Sequence, residues 1–145
     1  MPLYFRNLKI EDSEAITSLS QQLGYPGTKS ETEARISSLL IHPDHCAFVA
    51  VMEQTIIGWI HGLCTIRLES EPFVEIGGLV VDENYRNQQT GRKLVEQVKE
   101  WGLKKGINKL RVRCQTKRTE THRFYQKIGF TQTKEQKVFD LDMLK

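Results

Sequence analysis

The 145-residue sequence contains no apolar run approaching the roughly 20 residues that cross a bilayer, so no membrane partner is expected. Its first ten residues, MPLYFRNLKI, lack the basic and apolar regions of a secretory signal. Only three cysteines occur (Cys46, Cys64 and Cys114), widely spaced and without a CxxC pair. That pattern excludes a disulfide framework and fits reduced, structural thiols in a cytoplasmic protein. There is no internal repeat, low-complexity segment or linker, which makes residues 1–145 one domain, long enough to bury a core.

What is present is unevenly charged. Residues 1–72 carry 5 Lys and Arg against 9 Asp and Glu, whereas residues 73–145 carry 16 against 9. An acidic half joined to a basic half suits two differently charged ligands, or two ends of one site.

Read in order, Leu3 to Leu8 alternates as a strand. Asp12 stands at an N-cap position, and Ile16, Leu19 and Leu23 share one helical face. Gly24-Tyr25-Pro26-Gly27 ends that helix, and Ser30 with Glu33 has capping-box spacing for a second helix over 31–40. Three apolar segments follow, Cys46–Met52, Ile56–Leu68 and Phe73–Val81, separated by short polar turns and expected to form an antiparallel meander. Leu94, Val95, Val98 and Trp101 then define a helical stripe closed by Gly106. Lys109–Cys114 reads as a strand, parallel to Phe73–Val81 because a helix joins them. Thr119 or Thr121 opens a last helix, and Phe130–Thr133 with Val138–Met143 reads as a terminal hairpin. The expected order is β-α-α-β-β-β-α-β-α-β-β, an α/β fold on a mixed sheet.

Chemistry concentrates in EIGGLVVDENYRNQQTGRKL, Glu75 to Leu94. A strand there passes through a polar turn into a helix start, where free amides and the helix dipole favour an anion. The amides of Gln88 to Arg92 converge as a phosphate nest, and Arg86, Arg92 and Lys93 add positive charge. Glu75 is a lone carboxylate in an apolar strand, where partial burial suits it to act as a base.

Two segments bear a family likeness. EIGGLVVDENYRNQQTG resembles the central strand and the Arg/Gln-x-x-Gly-x-Gly/Ala pyrophosphate loop of the GNAT superfamily of acyl-CoA-dependent N-acetyltransferases. HRFYQKIGF, from His122 to Phe130, resembles that superfamily's FYxxxGF segment, and LGYP, Leu23 to Pro26, resembles the turn between its first two helices. With the element order, the likeness covers nearly the whole chain. Two positions depart from it. Gln89 stands where the family has its middle loop glycine, and holding the left-handed backbone there costs about 1 kcal/mol. Arg118 stands where many members have an asparagine that bonds the pantetheine; an arginine can reach a phosphate instead.

The resemblance implies transfer of an acetyl group from acetyl-CoA to a primary amine in a ternary complex. It assigns the pantetheine arm to the backbone of Leu79, Val80 and Val81, wedged between splayed parallel strands. The pyrophosphate falls to Arg86, Asn87, Gln88, Gln89, Thr90, Gly91, Arg92 and Lys93, with Arg118 nearby. Glu75 becomes the general base and Tyr125 the general acid for the thiolate, while the amide of Leu79 or Val80 faces the developing oxyanion. The acceptor, a small-molecule or peptide amine, is expected near Tyr25, Glu31 and Glu33, whose carboxylates favour a cation. The rival reading is a non-catalytic acyl-CoA-binding sensor, made conceivable by Gln89. A homodimer through the terminal hairpin is a further expectation.

Other signals are set aside. His42-x-x-His45-Cys46 enters a buried strand and makes a poor metal site, so no metal is expected. The basic run from Lys109 to Arg123 lacks interleaved aromatics, so no nucleic acid partner is expected. Cys114 reads as a small buried hydrophobe.

Overall fold

The alternation of Leu3–Asn7 yields the first strand, β1, of the computed structural model, which describes residues 2–86 and 89–144. A 3₁₀ turn, Ile10–Asp12, leads into α1, Ser13–Gln22. Asp12 does not cap α1 with its side chain. It is buried at 6% exposure and accepts both Arg6 guanidinium nitrogens, at 2.8 and 3.0 Å, and the Lys9 amide at 2.9 Å. Burial pushes its carboxyl up, but these donors outweigh that and leave it below the usual value.

The second helix, α2, runs Lys29–Leu40, two residues earlier than expected at its start. Its capping box is Thr28 with Glu31, not Ser30 with Glu33: the Glu31 amide donates to Thr28 Oγ1 at 3.1 Å and the Thr28 amide to Glu31 Oε1 at 2.9 Å. Thr17 of α1 meets Thr32 of α2 through a 2.7 Å hydroxyl contact, tying the two helices together.

The meander forms as expected: β2 (His45–Met52), β3 (Thr55–Arg67) and β4 (Ser70–Val81). The β2–β3 turn places Glu53 and Gln54 at φ 51° and 66°, the left-handed pair that a two-residue hairpin demands. After β4 comes α3, Thr90–Lys104, and then β5, Leu110–Val112, which pairs parallel to β4. The five strands lie in chain order.

Each face of the sheet receives helices for a reason visible in its residues. Leu8, Ile16 and Ile36 close over Val49 and Val51 on the α1–α2 face. On the other face the glycines of β3 make room for α3: a Cβ at Gly62 would sit 2.8 Å from Val98 and one at Gly58 3.2 Å from Leu94.

Residues 1–112 form one compact unit and 113–145 a second. The second contains α4, Thr119–Lys127, and the Tyr125 ring packs edge-on to Phe124 and Phe130 at 5.0 and 5.2 Å. The terminal hairpin is not formed. Residues 130–144 carry no strand, and Val138, Phe139, Leu141 and Met143 are exposed. The reason is physical: an isolated hairpin is marginal without a third strand or a covering face.

Asp12→Ala is expected to lower unfolding free energy by about 2 kcal/mol, because it leaves a part-buried guanidinium unpaired. Urea denaturation reads this, with exposed Glu14→Ala as a control shifting by less than about 0.5 kcal/mol. The folded carboxyl titrates below 3.8, so its contribution is present above that pH and is lost as pH falls through the folded value.

Candidate active site

The site begins with a break in pairing. β3 pairs Leu63 with Glu75 and Gly62 with Ile76, but His61 with Gly78, so Gly77 is an extra, bulged residue. The bulge switches phase. Before it, Glu75 shares a sheet face with Leu63; after it, Gly78 and Val80 take that face opposite His61 and Trp59. The β4–β5 ladder covers only Val74–Leu110, Glu75–Arg111 and Ile76–Val112 and stops at the bulge. Among the described residues no strand pairs with that edge of β4 from Gly77 to Val81. β5 is accordingly shorter than the expected Lys109–Cys114, because its neighbour turns away.

At the root of this parting, Phe73 is fully buried. The Arg111 and Arg67 guanidinium carbons lie 4.1 and 5.3 Å from its ring centroid, within cation–π range. Glu75 is half-buried beside Arg111 in register.

Beyond the open edge comes the start of α3. Gln89 is its N-cap and holds the left-handed conformation, φ 62° and ψ 15°, that the resemblance assigns to a glycine. Its Oε1 accepts from Arg92 Nη2 at 2.6 Å. The first-turn amides of Thr90, Gly91 and Arg92 have no intrahelical acceptor, whereas Lys93 already donates to Gln89 at 3.0 Å. Thr90 is 1% exposed, and its hydroxyl has no partner among the described residues. Free amides and an orphaned hydroxyl at a helix start fit a phosphate. Arg86 precedes this turn, exposed; Asn87 and Gln88 lie outside the described residues.

On the α1–α2 face of β4 lies a cavity of about 430 Å³. Gly77, Gly78, Leu79 and Val80 form its floor with Trp59 and His61. Tyr25 lines it, as expected, but Glu31 and Glu33 do not. The wall from α2 is Thr32, Arg35, Ile36 and Leu39, a single helical face that excludes positions 31 and 33. Glu31 is committed to its cap.

Trp59 and His61 were not singled out by the sequence reading. Their signal was alternation along β3, which places both on the face that carries Glu75. His61 Nε2 lies 2.9 Å from His45 Nδ1, the ring planes nearly parallel at 11° with centroids 5.1 Å apart. Burial and the neighbouring His45 lower the His61 pKa to about 4. Neither glycine tolerates a side chain: a Cβ at Gly77 would meet His61 Nδ1 at 2.7 Å, and one at Gly78 would meet Trp59 Cη2 at 2.8 Å. Among the described residues no group of three His, Cys, Asp or Glu side chains could hold a metal.

Tyr125 and Arg118 belong to the second unit. Tyr125 is buried, and burial with the nearby Cys114 pushes its hydroxyl pKa up. Arg118 is the N-cap position of α4.

Residues 13–130 match the sequence profile of the family described as Acetyltransferase (GNAT) family. The chain belongs to that family. An aminoglycoside N(6')-acetyltransferase type 1 of Salmonella typhimurium is 25% identical over 122 residues, covering 79% of this chain and 82% of the relative. The GNAT chain also shares its fold with aminoglycoside N-acetyltransferase AAC(6')-Iy, solved with a CoA-based bisubstrate analogue. That pair has a TM-score of 0.87 at 19% identity, covering 98% of this chain and 99% of the other. Glucosamine-6-phosphate N-acetyltransferase from Arabidopsis thaliana aligns with a TM-score of 0.84 at 24% identity, over 98% and 100% of the two chains. Among the described residues no helix of this GNAT protein is long and apolar enough to cross a membrane.

Two outcomes test this geometry. Gln89→Gly should raise the melting temperature by about 2–4 °C, since it relieves about 1 kcal/mol of left-handed strain; a lower value in calorimetry would mean the Arg92 contact matters more. His61 is held neutral, so it stabilises the fold above pH 6.5, and this is lost as pH falls from 6.5 toward about 4. Thermal melts across that window should flatten in His61→Gln.

Proposed function

We propose that this chain transfers the acetyl group of acetyl-CoA to the primary amine of a small molecule seated in the cavity, by direct attack in a ternary complex. The observation that carries the reading is the parting of β4 from β5 at Gly77, with the cavity on one side and the α3 start beyond the strand end. The relatives' use of CoA supports the same reading.

The pantetheine arm belongs on the open edge of Leu79, Val80 and Val81, where backbone groups lack a strand partner. The pyrophosphate belongs over Thr90, Gly91 and Arg92. Arg86, Lys93 and Arg118 supply positive charge, and the loop residues Asn87, Gln88 and Gln89 set the approach. On this reading residues 1–145 act as one acetyltransferase domain.

An alkylammonium titrates near ~10.4, so the acceptor must lose a proton before it attacks the thioester carbonyl. Glu75 takes that proton: it is half-buried, on the sheet face that carries His61 and Trp59. As the carbon–sulfur bond breaks, the Tyr125 hydroxyl protonates the CoA thiolate. Its raised pKa keeps that hydroxyl protonated throughout the neutral range. An amide of Leu79 or Val80 steadies the carbonyl oxygen as it gains charge.

Glu75→Gln and Tyr125→Phe should each lower kcat by about 100-fold or more with CoA affinity unchanged, as expected for lost proton transfer. Thiol release from acetyl-CoA reads the rate and calorimetry reads the affinity. Variants as fast as wild type would strip both residues of these roles. Wild-type protein that binds acetyl-CoA and turns over no amine would be a sensor.

A further inference from the structure

The cavity is furnished for a different acceptor from those for which the aminoglycoside relatives are named. Among the described residues its lining carries one formal charge, the Arg35 guanidinium, and no carboxylate. His61 adds none, because burial and His45 keep it neutral at physiological pH. An ammonium entering such a space sheds water, and once Glu75 has taken its proton the lining offers no counter-charge for a second one. A monoamine escapes the penalty by giving up its proton. A polyamine keeps its other charges, and Arg35 repels them.

The walls favour a flat apolar body. Tyr25, Phe48 and Trp59 supply aromatic surface, and Ile16 and Ile36 supply aliphatic surface. Trp59 adds an independent sign of a missing ligand atom. Its indole Nε1–H is buried and has no acceptor among the described residues. A buried N–H is rarely left without one, and this side chain lines the cavity.

We propose that the acceptor is an arylalkyl monoamine, its aromatic body held between Tyr25 and Trp59 and an oxygen substituent accepting from Trp59 Nε1–H. Polycationic aminoglycosides and polyamines are excluded for want of any carboxylate beyond Glu75. The inference rests on the acetyltransferase reading above and narrows its acceptor.

The test is thiol release from acetyl-CoA by the full chain, offered 4-methoxyphenethylamine, phenethylamine, kanamycin, spermidine or glucosamine 6-phosphate. Both arylalkylamines should exceed the other three in kcat/KM by about 100-fold, and the methoxy compound should lead phenethylamine by about tenfold. Trp59→Phe, which keeps a ring and removes the N–H, should abolish the methoxy preference. Arg35→Glu, on an exposed position of α2, should raise kcat/KM for spermidine by about tenfold. Preference for kanamycin, spermidine or glucosamine 6-phosphate would overturn the acceptor class and leave acetyl transfer standing. A methoxy preference that survives in Trp59→Phe would remove Trp59 from recognition. No release with any of the five amines, from protein shown to bind acetyl-CoA, would overturn the acetyltransferase reading itself.

Discussion

One residue of surplus chain governs this structure. Gly77 has no partner in the β3 ladder, so β4 changes phase there and leaves β5 behind. Everything attributed to the site follows from that. The edge beyond Ile76 is open because β5 cannot follow it. The floor of the cavity is two glycines because His61 and Trp59 occupy the space that side chains would need. Among the described residues no strand covers this polar backbone edge, and such an edge is costly unless something does, which supports the proposed ligand there.

The two sides of the parted strand are electrostatically unlike. The α3 start offers free amides, Arg92 and Lys93, and it keeps Gln89 in a conformation that its side chain resists. Among the described residues the cavity side has its one formal charge at Arg35, and burial with the neighbouring His45 lowers the His61 pKa. On the proposed binding mode, a highly charged nucleotide and a weakly charged acceptor approach one strand without competing for the same counter-charges. The acidic surplus of residues 1–72 has other uses: Asp12 braces β1 through Arg6, and Glu31 closes the start of α2.

Much of this was legible in the sequence, for identifiable reasons. The meander and the β4–α3–β5 order follow from local periodicity, and the left-handed position at Gln89 is what the family resemblance implies. Glu31 and Glu33 fall outside the cavity lining because Thr32, Arg35, Ile36 and Leu39 share one helical face that leaves positions 31 and 33 to the side. His61 and Trp59 passed unnoticed because the face they share with Glu75 is defined only once β3 and β4 are in register. The terminal hairpin was read from alternation alone, which states what a segment is able to pair with and not whether a partner is there.

The packing at Phe73 has a mechanical consequence. β5 contributes only three residues to the sheet, too few for its hydrogen bonds alone to resist a ligand prising it from β4. Arg111 lies over a ring that is fully buried in the core, so the short strand is also held through a side chain one pair below the last rung of the ladder. On the proposed binding mode, an arm placed between the strands would meet this contact at the base of the gap. The strands already part in the protein alone, where β5 pairs only at Leu110, Arg111 and Val112.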